Sequence, residues 1–255
     1  MRALIIGCGT VGSNLAKELS PISPDVYDTH KDVDERHGRY DVAFVCVDTP
    51  LDRDELDVTD VERAVFENEA SLFVIKSTLN VGDTDRIASE YGKRVVFSPE
   101  YYGSTQHCNN FSFDFTILGG DGEDCAKVVQ VLQNVYDGRH RFVITDARTA
   151  ELAKLMENAW IATKVSFCNQ MCDIADDEGV RYEELRELFL LDPRVGPSHT
   201  FVYRDRPYWD SHCLNKDVPA LAGTHDAPLI DAVISFNEGR RQGVLADSAV
   251  VHQDA

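Results

Sequence analysis

The run Gly7-Cys8-Gly9-Thr10-Val11-Gly12 constrains this chain more than any other stretch. It follows directly on the apolar residues 3–6 and opens residues 11–19, whose apolar positions have helical spacing. In a G-x-G-x-x-G between strand and helix, the first glycine permits a tight turn and the second lets backbone approach a diphosphate. The third lets helix and strand pack closely, and the helix N-terminus faces the diphosphate. Asp28 ends the next apolar run about twenty residues on, where a carboxylate accepts ribose hydroxyls and repels a 2′-phosphate. Gly7, Gly9, Thr10, Val11, Gly12 and Asp28 are therefore read as dinucleotide-binding residues, and the dinucleotide as NAD in preference to NADP.

Downstream, β-rich apolar runs at residues 25–27, 42–47, 72–76, 94–98, 115–118 and 142–144 alternate with helical spacing at 57–68, 84–91 and 123–135. Strands that can be covered on both faces in this way make a parallel sheet. The fold class is α/β: an N-terminal Rossmann doubly wound parallel sheet over residues 1–146, followed by an all-α domain built on a long helix. Residues 147–178 contain no Gly or Pro, and Leu152, Leu155, Met156, Ala159 and Ile161 recur at helical spacing before Gly179. A shorter helix at 182–190, an irregular aromatic-rich stretch at 192–212 and a helical region at 216–242 complete a helical domain over 147–243. Residues 244–255 read as a flexible tail.

Composition excludes several partners. The net charge of −19 repels phosphate backbones and anionic lipid, so neither nucleic acid nor a membrane surface is expected as a partner. No apolar stretch approaches the roughly 18 residues of a membrane span or signal region. Cys8, Cys46, Cys108, Cys125, Cys168, Cys172 and Cys213 are odd in number and scattered, which favours free thiols in a reducing compartment. A cytoplasmic protein is expected. No cysteine or histidine spacing suggests a metal site.

Further motifs occur in a fixed order: Val47-Asp48-Thr49-Pro50, Lys76-Ser77-Thr78-Leu79-Asn80-Val81-Gly82-Asp83-Thr84, and Ser98-Pro99-Glu100-Tyr101. Ala150-Glu151-Leu152-Ala153-Lys154 runs on to Asn158, then come Asp192-Pro193-Arg194-Val195-Gly196-Pro197, Cys213-Leu214-Asn215-Lys216-Asp217 and Phe236-Asn237-Glu238. Together they resemble the nucleotide-sugar 6-dehydrogenases, the UDP-glucose and GDP-mannose dehydrogenases. The residues make chemical sense unaided. Lys154 and Asn158 are spaced i,i+4 on one helix face, where a cation beside an amide can polarise an oxygen that develops charge. Cys213 and Asp217 have the same spacing, suited to a thiol that attacks an aldehyde beside a proton acceptor. On the residues alone, a surface lysine with a helix-stabilising asparagine, and a buried structural thiol, remain the plainer alternatives.

The resemblance implies oxidation of a primary alcohol to an acid in two NAD-dependent steps, with Cys213 as nucleophile and Lys154, Asn158 and Asp217 ordering the reacting oxygen. It implies that Thr78 and Glu100 position water, and that Val47, Thr49, Pro50, Ser77 and Thr78 flank the cofactor. Glu100, Tyr101, Lys154, Asn158, Arg194 and Lys216 would contact a small-molecule substrate, a sugar or nucleotide sugar, and the chain would form a homodimer. The reading requires Cys213, Asp217, Lys154 and Asn158 to converge beside a nicotinamide seated over Gly9.

Departures from the family also stand out. The chain stops where the family's third, nucleotide-sugar-binding domain would begin. Tyr208-Trp209-Asp210-Ser211-His212-Cys213 replaces G-F-G-G-S-C, which implies a reshaped or partly filled pocket. Tyr101-Tyr102-Gly103-Ser104 alters the substrate wall, and the short segment between Asp28 and Tyr40 trims the cofactor side. A Cys213–His212 dyad is not expected, because neighbours on an extended loop point apart. Two alternatives follow: a single-step β-hydroxyacid-type dehydrogenase using Lys154 and Asn158 without the thiol, and a non-catalytic dinucleotide-binding module.

Overall fold

The structure is a computed structural model that describes residues 1–101 and 113–251, side chains beyond residue 244 excepted. Cys108 and the Tyr102-Gly103-Ser104 segment lie outside the described residues. Two compact units divide the chain, Met1–Leu155 and Met156–Ala255.

In the first unit, β1 (Ala3–Ile6), β4 (Val42–Val45), β7 (Phe73–Ile75) and β8 (Val95–Phe97) are buried throughout, as their uninterrupted apolar sequences require of strands covered on both faces. With β2 (Asp25–Asp28) they form a parallel array in the order β8-β7-β4-β1-β2. Helices α1 (Thr10–Glu18), α2 (Thr59–Glu67) and α3 (Asp83–Tyr91) make the crossovers. The chain steps one way from β1 to β2 and the other way from β4 to β7 and β8. The crevice of a doubly wound sheet therefore opens at the carboxyl ends of β1 and β4. Ile5, Leu15, Phe44, Val74, Val96, Leu118 and Val128 build the core.

The sheet is not parallel throughout. β9 (Phe115–Gly120) pairs antiparallel with β8, and β10 (Arg141–Thr145) returns parallel to β9 through α4 (Gly122–Leu132). Parallel neighbours need a long crossover, usually helical, and the sequence between β8 and β9 has no helical spacing to supply one. At the other edge the two-residue strand β3 (Val33–Asp34) pairs antiparallel with β2, and β5 (Leu51–Asp52) forms a hairpin with β6 (Glu55–Leu56). These strands are too short to show a periodicity.

Helix α5 (Ala147–Asp177) follows as the sequence predicts, yet the division between the units falls inside it and not at its start. Its first turns pack on the sheet, where a Cβ added to Gly119 would stand 2.5 Å from Ala150 Cβ. The second unit continues with α6 (Tyr182–Phe189), α7 (His212–Thr224) and α8 (Pro228–Val251). The helical region expected at 216–242 is thus two helices. Pro228 opens the second, and its ring disfavours helical backbone at Ala227. Helix α8 runs on through Val251, into the segment read as a tail. Ala162, Trp209, Leu214, Val218 and Val233 form one core of this unit, and Cys168, Cys172, Ala175 and Tyr182 another. The described cysteines are all free thiols. Among the described residues no helix is long and apolar enough to cross a membrane.

Candidate active site

The glycine turn has the close packing that its sequence requires. Gly7 lies at φ +91°, and a Cβ there would meet Cys46 O at 2.6 Å. A Cβ on Gly12 would stand 1.9 Å from Gly7 O, so helix α1 sits on the turn with no room for a side chain. Gly9 differs, since a Cβ on it would meet nothing within 4 Å. Its lack of a side chain serves the open side of the turn, where backbone is bared to whatever approaches. Gly9 is also the N-cap of α1, whose own first turn carries no acidic residue, so nothing within the helix offsets its positive end.

Asp28, at the end of β2, accepts Cys8 N–H at 2.6 Å, His30 N–H at 2.8 Å and Lys31 N–H at 3.1 Å. Burial pushes its carboxyl up, but those three donors and the Lys31 ammonium more than offset it and hold the group below its ordinary pKa. An ionised carboxylate thus stands beside the turn, and Lys31 Nζ donates to Cys8 O. At the end of β4, Thr49 is buried and its N–H donates to Asp48 Oδ1 at 2.9 Å. Ser77, after β7, donates its hydroxyl to Val47 O at 2.6 Å and ties the two strand ends together. Thr78 follows, half-buried. A bare turn, an open helix end and an anchored carboxylate fit a dinucleotide diphosphate and its ribose.

The first unit also holds Lys154, which is buried with Nζ 4.7 Å from the centre of the Tyr101 ring. Phe113 and Phe115 pack against Tyr101 at 5.4 and 5.3 Å. Lys76, at the head of the Lys76–Thr84 motif, lies 3.3 Å from Ser98 Oγ and 3.4 Å from Pro99 O. Burial pushes its pKa down, while half-buried Glu100 acts on it in the opposite sense.

In the second unit Asn158 and Asp217 meet. Asn158 Nδ2 donates to Asp217 Oδ2 at 2.6 Å, and Lys216 Nζ donates to Asp217 Oδ1 at 2.7 Å. Asp217 is 0% exposed, and Asn158 and Lys216 are buried. Lys216 is thus held inward on Asp217 and is not a solvent-facing lysine. Asp217→Ala leaves a buried ammonium without its carboxylate. The expected cost is about 3–5 kcal/mol of unfolding free energy, measured by urea denaturation at neutral pH.

Cys213 lies in the first turn of α7, one turn ahead of Asp217, and Ser211 caps that turn by accepting Leu214 N–H at 3.2 Å. A helix N-terminus favours thiolate over thiol. His212 and Cys213 do not lie on the extended loop expected, which ends at Ser211: both are in the first turn of α7, where successive residues point about 100° apart. Nor does Trp209 line an opening. Its ring is in the helical core and its Nε1–H donates to Ser166 Oγ at 3.1 Å. Asn237 clamps its backbone, accepting Trp209 N–H at 2.8 Å and donating to Trp209 O at 3.1 Å. Nothing in the Phe236-Asn237-Glu238 sequence itself points to this partner. Arg194 is 87% exposed and holds Asp192 with two nitrogens, so it is not joined to the Asn158–Asp217 pair.

Residues 22–139 match the UDP-glucose/GDP-mannose dehydrogenase family, NAD binding domain, and residues 148–239 match the same family's central domain. The chain belongs to this family. It is 30% identical over 227 residues to the UDP-glucose 6-dehydrogenase of Rhizobium meliloti, covering 80% of this chain and 51% of that protein. The UDP-N-acetyl-D-mannosamine dehydrogenase of Pyrococcus horikoshii is 29% identical over 191 residues, covering 69% and 44%. The chain thus spans about half the length of these relatives. A UDP-glucose dehydrogenase structure from Pyrobaculum islandicum shares the fold, with a TM-score of 0.78 at 23% identity over 93% of this chain and 68% of that one.

Proposed function

We propose that this chain is an NAD-dependent dehydrogenase that oxidises the primary alcohol of a sugar or nucleotide sugar to the carboxylic acid through a thioester on Cys213. The observation that carries this reading is the buried Asn158–Asp217–Lys216 network one helical turn beyond a cysteine at a helix N-terminus. Burying two charges and an amide together costs stability that a hydrophobic core would not. A reacting oxygen that must be gripped and deprotonated gives that arrangement a use.

Gly7, Gly9, Thr10, Val11, Gly12, Asp28, Val47, Thr49, Pro50, Ser77 and Thr78 would hold NAD, which would supply the two-electron oxidant for each oxidation. Lys154 and Asn158 hold the substrate oxygen, and Asp217 takes the proton of the alcohol as it becomes an aldehyde. The Cys213 sulfur adds to the aldehyde carbon to give a thiohemiacetal, and the second oxidation gives the thioester. Thr78 and Glu100 position a water that displaces the thiol and releases the acid. Tyr101, Lys216 and Arg194 contact the sugar. The two named relatives differ in sugar, so the test is a screen of UDP-glucose, GDP-mannose, UDP-N-acetylmannosamine and simple sugar alcohols, following NADH absorbance. Turnover of one of them supports the reading. NAD binding without turnover of any would identify a non-catalytic dinucleotide-binding module.

The partner proposed is a second copy of the chain. Met156, Trp160, Phe167 and Ile174 are exposed on α5 and fall within an arc of about 40° at ~100° per residue, an apolar stripe that a twofold-related helix can cover with the same stripe. Light scattering should give twice the chain mass of 28.5 kDa, and Trp160→Glu should give the single-chain mass. A wild-type protein at the single-chain mass would overturn the dimer.

A further inference from the structure

Glu151 is 0% exposed and has no place in the reaction described above. Its Oε2 accepts Gly82 N–H at 2.6 Å, and its Oε1 accepts Thr84 N–H at 2.8 Å and the Thr84 hydroxyl at 2.6 Å. These donors belong to the N-terminus of α3. Its N-cap, Gly82, lies at φ +103° and brings no side chain to them. Helix starts are ordinarily capped by the residue at the cap itself. Here the acceptor comes from α5, 69 residues further along the chain, and burial pushes its carboxyl pKa up. At φ +103° position 82 favours glycine, so no side chain caps α3 from its own start, and the cap supplied from α5 is at the same time a tie between α5 and the start of α3.

What Glu151 adds is a fixed distance between two elements. The loop it grips runs back from Gly82 to Thr78. That loop is held on its other side by Asn80, which accepts Leu56 N–H and donates to Leu56 O, both at 2.9 Å. One turn beyond Glu151 on α5 lies Lys154, whose ammonium rests over Tyr101. We propose that Glu151 is a positioning residue, which locks the turn of α5 that carries Lys154 against the loop that carries Thr78. The proposal rests on the function given above, in which both side chains serve the oxidation.

The test compares wild type, Glu151→Gln and Thr84→Val in the full chain. The amide sets a donor against a backbone N–H, whereas valine removes only the hydroxyl bond and keeps both backbone bonds. Well below the melting transition, kcat in Glu151→Gln should fall about tenfold to a hundredfold, as expected for a misplacement of about an ångström. Thr84→Val should fall less. Independently of turnover, acylation of Lys154 by acetyl N-hydroxysuccinimide, read by peptide mass spectrometry against exposed Lys31 and Lys127, should rise several-fold in Glu151→Gln. Should that variant not fold, Thr84→Val is to show the same changes in smaller measure. Lowered melting temperatures with kcat and Lys154 labelling unchanged would reduce Glu151 to a structural cap and overturn the proposal. A wild-type protein without turnover would sink the proposed function instead, and the labelling ratio would still decide the role of Glu151.

Discussion

Cys213→Ala is expected to lower production of the carboxylic acid by at least about a thousandfold while leaving the first oxidation measurable. Asn158, Asp217 and Lys216 hold one another whether or not the sulfur is present, so the grip on the alcohol oxygen survives the substitution. Only the covalent capture of the aldehyde is lost. The cysteine sits in the first turn of α7, and the Ser211 cap fixes that turn. Trapping the released aldehyde with a hydrazine, alongside NADH absorbance, checks this. Acid formed at the wild-type rate would remove the thiol from the reaction and leave a single-step oxidation on Lys154 and Asn158.

Substitutions at two glycines of the same motif should both weaken NAD binding but differ in their effect on folding. Gly9→Ala adds a methyl that meets no protein atom within 4 Å, so the melting temperature should not change. That methyl stands where a diphosphate would approach backbone, and the dissociation constant for NAD should rise at least tenfold, about 1.4 kcal/mol. Gly12→Ala puts its methyl 1.9 Å from Gly7 O, so backbone must move. The expected cost is about 1–3 kcal/mol of folding stability, with NAD binding lost as well. Calorimetric titration and thermal unfolding of both variants separate the two effects. A Gly9 variant that binds NAD as wild type does would take the diphosphate away from this turn.

The elements that the sequence revealed were those whose cause is local. Strands β1, β4, β7 and β8 are continuous apolar runs, α5 lacks Gly and Pro, and the glycine turn is read from its own six residues. The Cys213–Asp217 spacing likewise predicts neighbours one helical turn apart, and α7 supplies that turn. What escaped the sequence depends on partners far along the chain. The antiparallel pairing of β9 shows only in its contact with β8, and Trp209 reads as a pocket filler until Asn237 and Ser166 are seen to hold it in the core. Lys216 looks like a surface cation until the burial of Asp217 draws it inward. The clamp made by Glu151 joins two motifs that were each visible, although nothing in either names the other.

The number of NADH molecules formed per molecule of substrate consumed bears most directly on the reaction proposed for this chain. With a substrate found by the screen and NAD in excess, absorbance of the reduced cofactor should reach two equivalents, with the acid as product and no aldehyde free in solution. One equivalent, with aldehyde accumulating in the presence of intact Cys213, would contradict it.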